Sequence, residues 1–162
     1  MASNVPTVRP VAWISLVPQL IFYGILCYSY HVLLPDVDPV FPGVLTGIAI
    51  MILLRNLITK KHRKGVKLFK QQKYMAAVPL FEESFAYFTK NAWLDKYRHF
   101  LLFSSSKWTF KEMALCNIAF CYGQVGNGQK AKEYYQRVIN EFPNNGLATA
   151  GLRMLNAGGQ NG

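Results

Sequence analysis

Hydrophobic positions in this chain follow two different rules. Residues 11–34 (VAWISLVPQLIFYGILCYSYHVLL) contain no Asp, Glu, Lys or Arg, and residues 39–54 contain none either. A bilayer core takes about 20 helical residues, so 11–34 and 39–58 read as two membrane spans. Arg55 falls near the end of the second, where a long side chain can snorkel to the headgroups. The link LPDVDP holds two acids and two prolines, and this predicts a tight hairpin. Pro18 and Gly24 would weaken a soluble helix but are common in membrane helices. A cleaved signal peptide would need a shorter apolar region and a small-residue cleavage site, and a second apolar run follows instead. Leu26 before Cys27 also lacks the small side chain of a lipoprotein signal. A hairpin buried in a soluble protein is the competing reading, and a domain this small could hardly cover two all-apolar helices.

Beyond residue 58 apolar and polar positions recur at helical spacing. Thr109 and Glu112 fit a capping box. Met113, Leu115, Ile118, Ala119 and Tyr122 then mark one helix face. Gly126, Asn127 and Gly128 break that helix. A second runs over 129–141, with Ala131, Tyr134, Tyr135, Val138 and Ile139 toward its partner, until Pro143 stops it. Residues 112–145 are therefore one helix–turn–helix unit.

A weaker copy covers 58–89, with Gly65, Leu68, Ala77, Phe81 and Ser84 at the matching places. Lys61 and Lys64 replace large apolar residues in its first turn, and Pro79 sits early in its second helix, where it can kink without breaking. The insertion 90–111 carries Trp93, Leu94, Tyr97, Phe100, Leu101 and Phe103. Their spacing predicts an amphipathic helix, or a continuation of the preceding one, serving either as core or as a docking or membrane-surface element. Asn144 and Asn145 precede a terminal helix over 146–156, and 158–162 reads as a flexible tail. The expected class is all-α: a transmembrane hairpin over 1–58, then a helical-repeat domain over 59–157.

Charge gives this layout a direction. The net charge is +10. Sixteen of the 18 Lys and Arg and six of the 8 Asp and Glu lie in residues 59–162, so this half carries the whole excess. Lys60, Lys61, Arg63 and Lys64 follow the second span directly, then Lys67, Lys70 and Lys73. Arg9 precedes the first span, while the hairpin link has two acids and no cation. The positive-inside rule makes this a two-pass integral membrane chain with both termini cytoplasmic. Lys60, Lys61, Arg63 and Lys64 are the expected contacts to anionic lipid, each contributing about 1 kcal/mol.

Candidate chemistry is sparse. Cys116 and Cys121 lie five apart on one helix and point about 140° from each other, which disfavours a disulfide or a shared metal. His31, His62 and His99 are scattered, with no Cys or carboxylate at ligand spacing. Glu82 and Glu83 are neighbours that face different ways on a helix. Phosphate-binding and nucleophile-elbow motifs are missing from the sequence. The expectation is a non-enzyme with no cofactor and no metal. Nucleic acid is not expected as a partner, because the densest cations adjoin an apolar run.

The spacing of 112–145 resembles a tetratricopeptide repeat. Leu115, Ile118, Ala119 and Tyr122 fall at that family's large, large, small and aromatic positions of the first helix. Ala131, Tyr135 and Pro143 fall at the small, aromatic and proline positions that follow. The family's tryptophan is replaced by Leu115. The resemblance implies a groove lined by first helices that binds a protein or peptide. By position it assigns Met113, Cys116, Asn117, Phe120 and Gln124, with His62, Val66, Phe69 and Lys70 from the weaker copy. Asn117 falls where many relatives hold a peptide backbone.

Two functions are then expected. One is a membrane-anchored adapter that recruits a cytosolic protein or peptide. The other is an assembly subunit of a membrane complex, or a homo-oligomer, whose hairpin packs on other membrane helices. Gly43 and Gly47 supply a small-xxx-small match for such packing.

Overall fold

The computed structural model describes Trp13 and residues 16–158. Among these residues all regular structure is helical. The elements are α1 (Leu16–Leu33), α2 (Val40–Ile58), α3 (Lys60–Lys70), α4 (Tyr74–Lys90), α5 (Ala92–Lys96), α6 (Arg98–Leu101), α7 (Phe110–Gln124), α8 (Gly128–Glu141) and α9 (Gly146–Gly158). The start of the first expected span, Arg9 and residues 159–162 of the expected tail lie outside the described residues. Gly158, expected in that tail, ends α9. The chain divides into two compact units.

The first unit holds α1, α2 and Tyr97–Trp108. Helices α1 and α2 are each long and apolar enough to cross a membrane, with mean hydropathies of 1.4 and 1.8. The link between them is closed by Val37 N–H on Leu34 O at 3.1 Å. Asp38 Oδ1 then accepts the Val40 N–H at 2.9 Å, so a link acid satisfies the start of α2. Gly43 and Gly47 are the buried residues of α2, and α1 has none.

These glycines are where the helices touch. A Cβ on Gly43 would lie 2.9 Å from Cys27 Sγ and 3.3 Å from its backbone, and one on Gly47 would meet the Tyr23 ring at 2.3 Å. Tyr30 Oη and Thr46 Oγ1 add a 2.8 Å hydrogen bond. The Gly43/Gly47 pair, expected to serve other membrane helices, is therefore occupied inside the hairpin.

The second unit holds Thr59–Lys96 and the chain from Thr109 onward. Helices α3 and α4 form one helical hairpin, α7 and α8 another, and α4 packs along α7. Helix α9 closes on α8 and α7. One apolar cluster joins Ala77, Val78 and Phe81 of α4 to Ala114, Ile118 and Cys121 of α7. A second joins Leu115 and Ala119 of α7 to Tyr135 and Val138 of α8 and Ala148 of α9.

Gly65 lets α3 approach closely, since a Cβ there would meet Phe81 Cε1 at 2.9 Å. The first turn of α3 forms despite Lys61 and Lys64, because both side chains are exposed. Pro79 lies within α4 on its exposed side, and the helix continues through it.

The insertion differs from the single long helix that its spacing predicts. Helices α5 and α6 are short and divided at Tyr97, and the chain is irregular from Leu102 to Thr109. The serines explain part of this. Ser104 Oγ accepts from Ser106 N–H at 3.4 Å and Ser106 Oγ from Trp108 N–H at 3.2 Å, local bonds that replace a helical ladder. The insertion also divides by unit, with 92–96 in the second and 97–108 in the first.

Candidate functional site

Helix α7 is set by its N-terminus. Its first N–H groups have no helical acceptors and need others. Thr109 Oγ1 accepts from Glu112 N–H at 3.1 Å, and Glu112 Oε2 accepts from Thr109 N–H at 2.7 Å, the capping box expected from sequence. Asp95, on α5 and 2% exposed, accepts the Phe110 and Lys111 N–H groups at 2.8 and 3.1 Å. A carboxylate at this end also meets the positive pole of the helix dipole. Asp95 was not anticipated. A lone acid inside an otherwise apolar and basic insertion was the available signal.

Held in this way, α7 buries most of its surface and leaves one stripe half-open. Met113, Asn117 and Phe120 are half-buried and Gln124 is exposed. Their 4–3–4 spacing keeps them on one face. Phe120 meets Phe69 of α3 at 5.1 Å between ring centroids and Tyr74 of α4 at 6.3 Å. Phe69 and Tyr74 are 5.8 Å apart, edge to face. Val66 is half-buried beside this cluster's core and Lys70 is exposed. The structure thus brings Phe69 and Phe120 together and adds Tyr74, which sequence reasoning missed. Tyr74 opens α4 right after a polar turn, so its place in a repeat pattern gave no hint.

Two expected groove residues are corrected. Cys116 is buried, with its Sγ 3.8 Å from Asn145 Oδ1. His62 is also buried: its Nδ1 lies 3.1 Å from Ser84 Oγ, and its ring sits edge-on to Phe81 and Phe110. Neither lines an open face. On a helix the residue one step from an exposed stripe turns inward, and position matching alone does not separate the two.

Burial also silences the thiols. It raises the Cys116 pKa from 9.0 to about 12, helped by the negative charge of Glu112 and opposed by the hydrogen bond to Asn145. Cys121 rises to about 12 through burial alone. Tyr135 rises from 10.0 to about 12, by burial and then by Cys116 and Cys121. Among the described residues no group of three or more His, Cys, Asp or Glu is placed to hold a metal.

The expected lipid contacts Lys60, Lys61, Arg63 and Lys64 are all exposed. Lys60, Arg63, Lys64, Lys67 and Lys70 fall within roughly 120° of one another around α3. Lys61 sits apart and pairs with Glu83 at 2.5 Å, both about half exposed. A shallow cleft of about 720 Å³ lies elsewhere, between α8 and α9, lined by residues such as Arg137, Asn140 and Asn156. It is open, and none of its lining residues belongs to the aromatic stripe.

No family model, curated protein or solved structure matches this chain.

Proposed function

We propose that this chain is a membrane-anchored, tetratricopeptide-like adapter that binds a cytosolic protein or peptide on the face shared by α3 and α7. The observation that carries this reading is the half-open aromatic stripe of Phe69, Phe120 and Tyr74, flanked by Asn117, Gln124 and Lys70. Rigid aromatic side chains at the centre of a surface, with amide and cationic groups at its edge, have the make-up of a binding hot spot. Its polar groups suit the backbone and an acidic side chain of an extended segment.

The hairpin acts as the anchor, in a two-pass arrangement with both termini cytoplasmic. The cationic side of α3 favours an anionic leaflet. The reading as an assembly subunit is weakened, because the small-residue stripe suited to outside helices already packs α1 on α2. The proposed role is non-enzymatic.

Affinity capture from membranes with the full-length chain tests the adapter role. Phe120→Ala and Asn117→Ala should each lower recovery of a specific partner about tenfold, with the chain remaining in the membrane fraction after alkaline carbonate. Recovery unchanged by Phe120→Ala sinks the site, and release by carbonate sinks the anchor.

A further inference from the structure

Residues 97–108 belong to the same compact unit as α1 and α2, although about forty residues separate them in sequence from the end of α2. Helix α6 packs on α1, and Phe103 adds to the contact. Its ring lies 5.3 Å from Phe22 and 6.4 Å from Tyr23, both on α1. Phe22 is six residues past the start of α1, about 9 Å along it. Tyr23 faces Gly47, eleven residues before the end of α2, about 16 Å along that helix. A loop touching this level cannot stay clear of a bilayer that α1 and α2 cross.

From this placement we infer that residues 97–108 form a re-entrant loop in the cytoplasmic leaflet, with lipid as the occupant of its exposed apolar face. The inference rests on reading α1 and α2 as membrane spans.

Three features of the loop fit lipid. Its side chains present apolar surface outward: Tyr97 is 54% and Phe100 48% exposed, while Leu102 is buried. Its backbone finds partners within the loop, as irregular chain at membrane depth must. Arg98 Nη2 donates to Lys107 O at 2.8 Å and approaches Ser106 O at 3.4 Å. Arg98 O accepts the Leu102 and Ser104 N–H groups at 3.0 and 3.2 Å, and His99 Nδ1 lies 2.5 Å from Ser104 O. Last, the segment has no acid, and its cations Arg98 and Lys107 stand beside Tyr97 and Trp108. Aromatic rings next to cations are the usual composition at the level of the headgroups.

The test is collision accessibility of a nitroxide label in the full-length chain, reconstituted in vesicles of phosphatidylcholine and phosphatidylglycerol. Labels go on Phe100→Cys, on Ile25→Cys of α1 and on Lys73→Cys in the α3–α4 turn. Cys27→Ala removes the one thiol outside the core of the second unit, while Cys116 and Cys121 stay unreactive through burial. Expected at Phe100 and Ile25 is an oxygen-to-nickel-chelate collision ratio several-fold above that at Lys73.

An oxygen-to-nickel ratio at Phe100 as low as that at Lys73, with Ile25 still in lipid, overturns this inference and leaves the spans intact. An equally low ratio at Ile25 overturns both. Low collision with both reagents at Phe100 means that protein covers the face, and also overturns the inference. Should Phe100→Cys fail to insert, Tyr97→Cys gives the same readout.

Discussion

The two units solve packing in opposite ways. In the hairpin, the buried residues of α2 are glycines, and many of the large apolar side chains point out. Gly43 and Gly47 are buried, while Ile25, Leu45, Ile48 and Leu53 are exposed. In the helical stack Phe81, Leu115, Ile118 and Val138 are inside and lysines are outside. Water drives the second arrangement, because each large apolar side chain gains roughly 1.5–3 kcal/mol by leaving it. That gain is absent between helices in lipid, where close contact and hydrogen bonds decide instead. The difference is the one expected of a chain of 162 residues whose hairpin serves as the proposed membrane anchor while its stack faces water.

Core truncation gives the sharpest contrast. Phe81→Ala should cost the stack about 4 kcal/mol, read from its urea midpoint, because the ring is fully buried against α3 and α7. Ile48→Ala in the hairpin should cost under about 0.5 kcal/mol by unfolding in mixed micelles. A large loss at Ile48 would mean that protein, not lipid, covers it, and the contrast would break.

Next comes the buried acid. Asp95→Ala leaves two N–H groups at the start of α7 without acceptors and should destabilise the stack by about 3 kcal/mol. Asp95→Asn keeps one acceptor and should lose about half of that. Amide exchange at Phe110 and Lys111 would rise in both variants. If neither variant changes it, the cap has been misassigned.

In the hairpin the corresponding change adds atoms instead of removing them. Gly43→Val forces α2 off Cys27 and should cost about 2 kcal/mol, measured as loss of a disulfide between cysteines placed across α1 and α2. Retained cross-linking would show that the glycines are not needed for contact.

The smallest effect is with pH. Cys116, Cys121 and Tyr135 are held neutral in the fold, with pKa values raised to about 12. A raised acid contributes stability below its unfolded pKa and loses it as pH climbs to the folded one. The stack should therefore weaken progressively between about pH 9 and 12. The hairpin's cross-link should not follow it. A flat stability curve for the stack over that range would contradict the burial of these groups.

Much of this organisation was legible in the residues. The two apolar runs predict α1 and α2 to within a residue or two where the chain is described, and Thr109 with Glu112 predicts the start of α7. These signals are local, set by composition and by side chains three residues apart. The insertion was not legible. Its aromatic spacing reads as one helix, but the serine turns and the long-range bond from Asp95 to α7 outweigh that local preference. Nor does spacing reveal that Phe103 meets Phe22, a contact between residues far apart in the chain. At the candidate face the residues were assigned by the repeat resemblance alone: Met113, Asn117, Phe120 and Gln124 share one side of α7, whereas Cys116 and His62 turn inward, a rotation that position matching does not resolve.

Asn145 has a consequence for how this protein ages. It precedes Gly146, and an asparagine before glycine loses its amide most easily, through attack by the next backbone nitrogen on the side chain. Here the side chain is 1% exposed, its oxygen bonded to Ala148 N–H and its nitrogen 3.4 Å from Glu112 Oε1. That attack needs the start of α9 to open first. Asn127, before Gly128, caps α8 in the same way, its oxygen accepting the Lys130 N–H at 3.1 Å, but it does so on the surface, where fraying of one helix turn is enough to free it. Isoaspartate accumulating at 127 records elapsed time, and isoaspartate at 145 records how often the stack has come open.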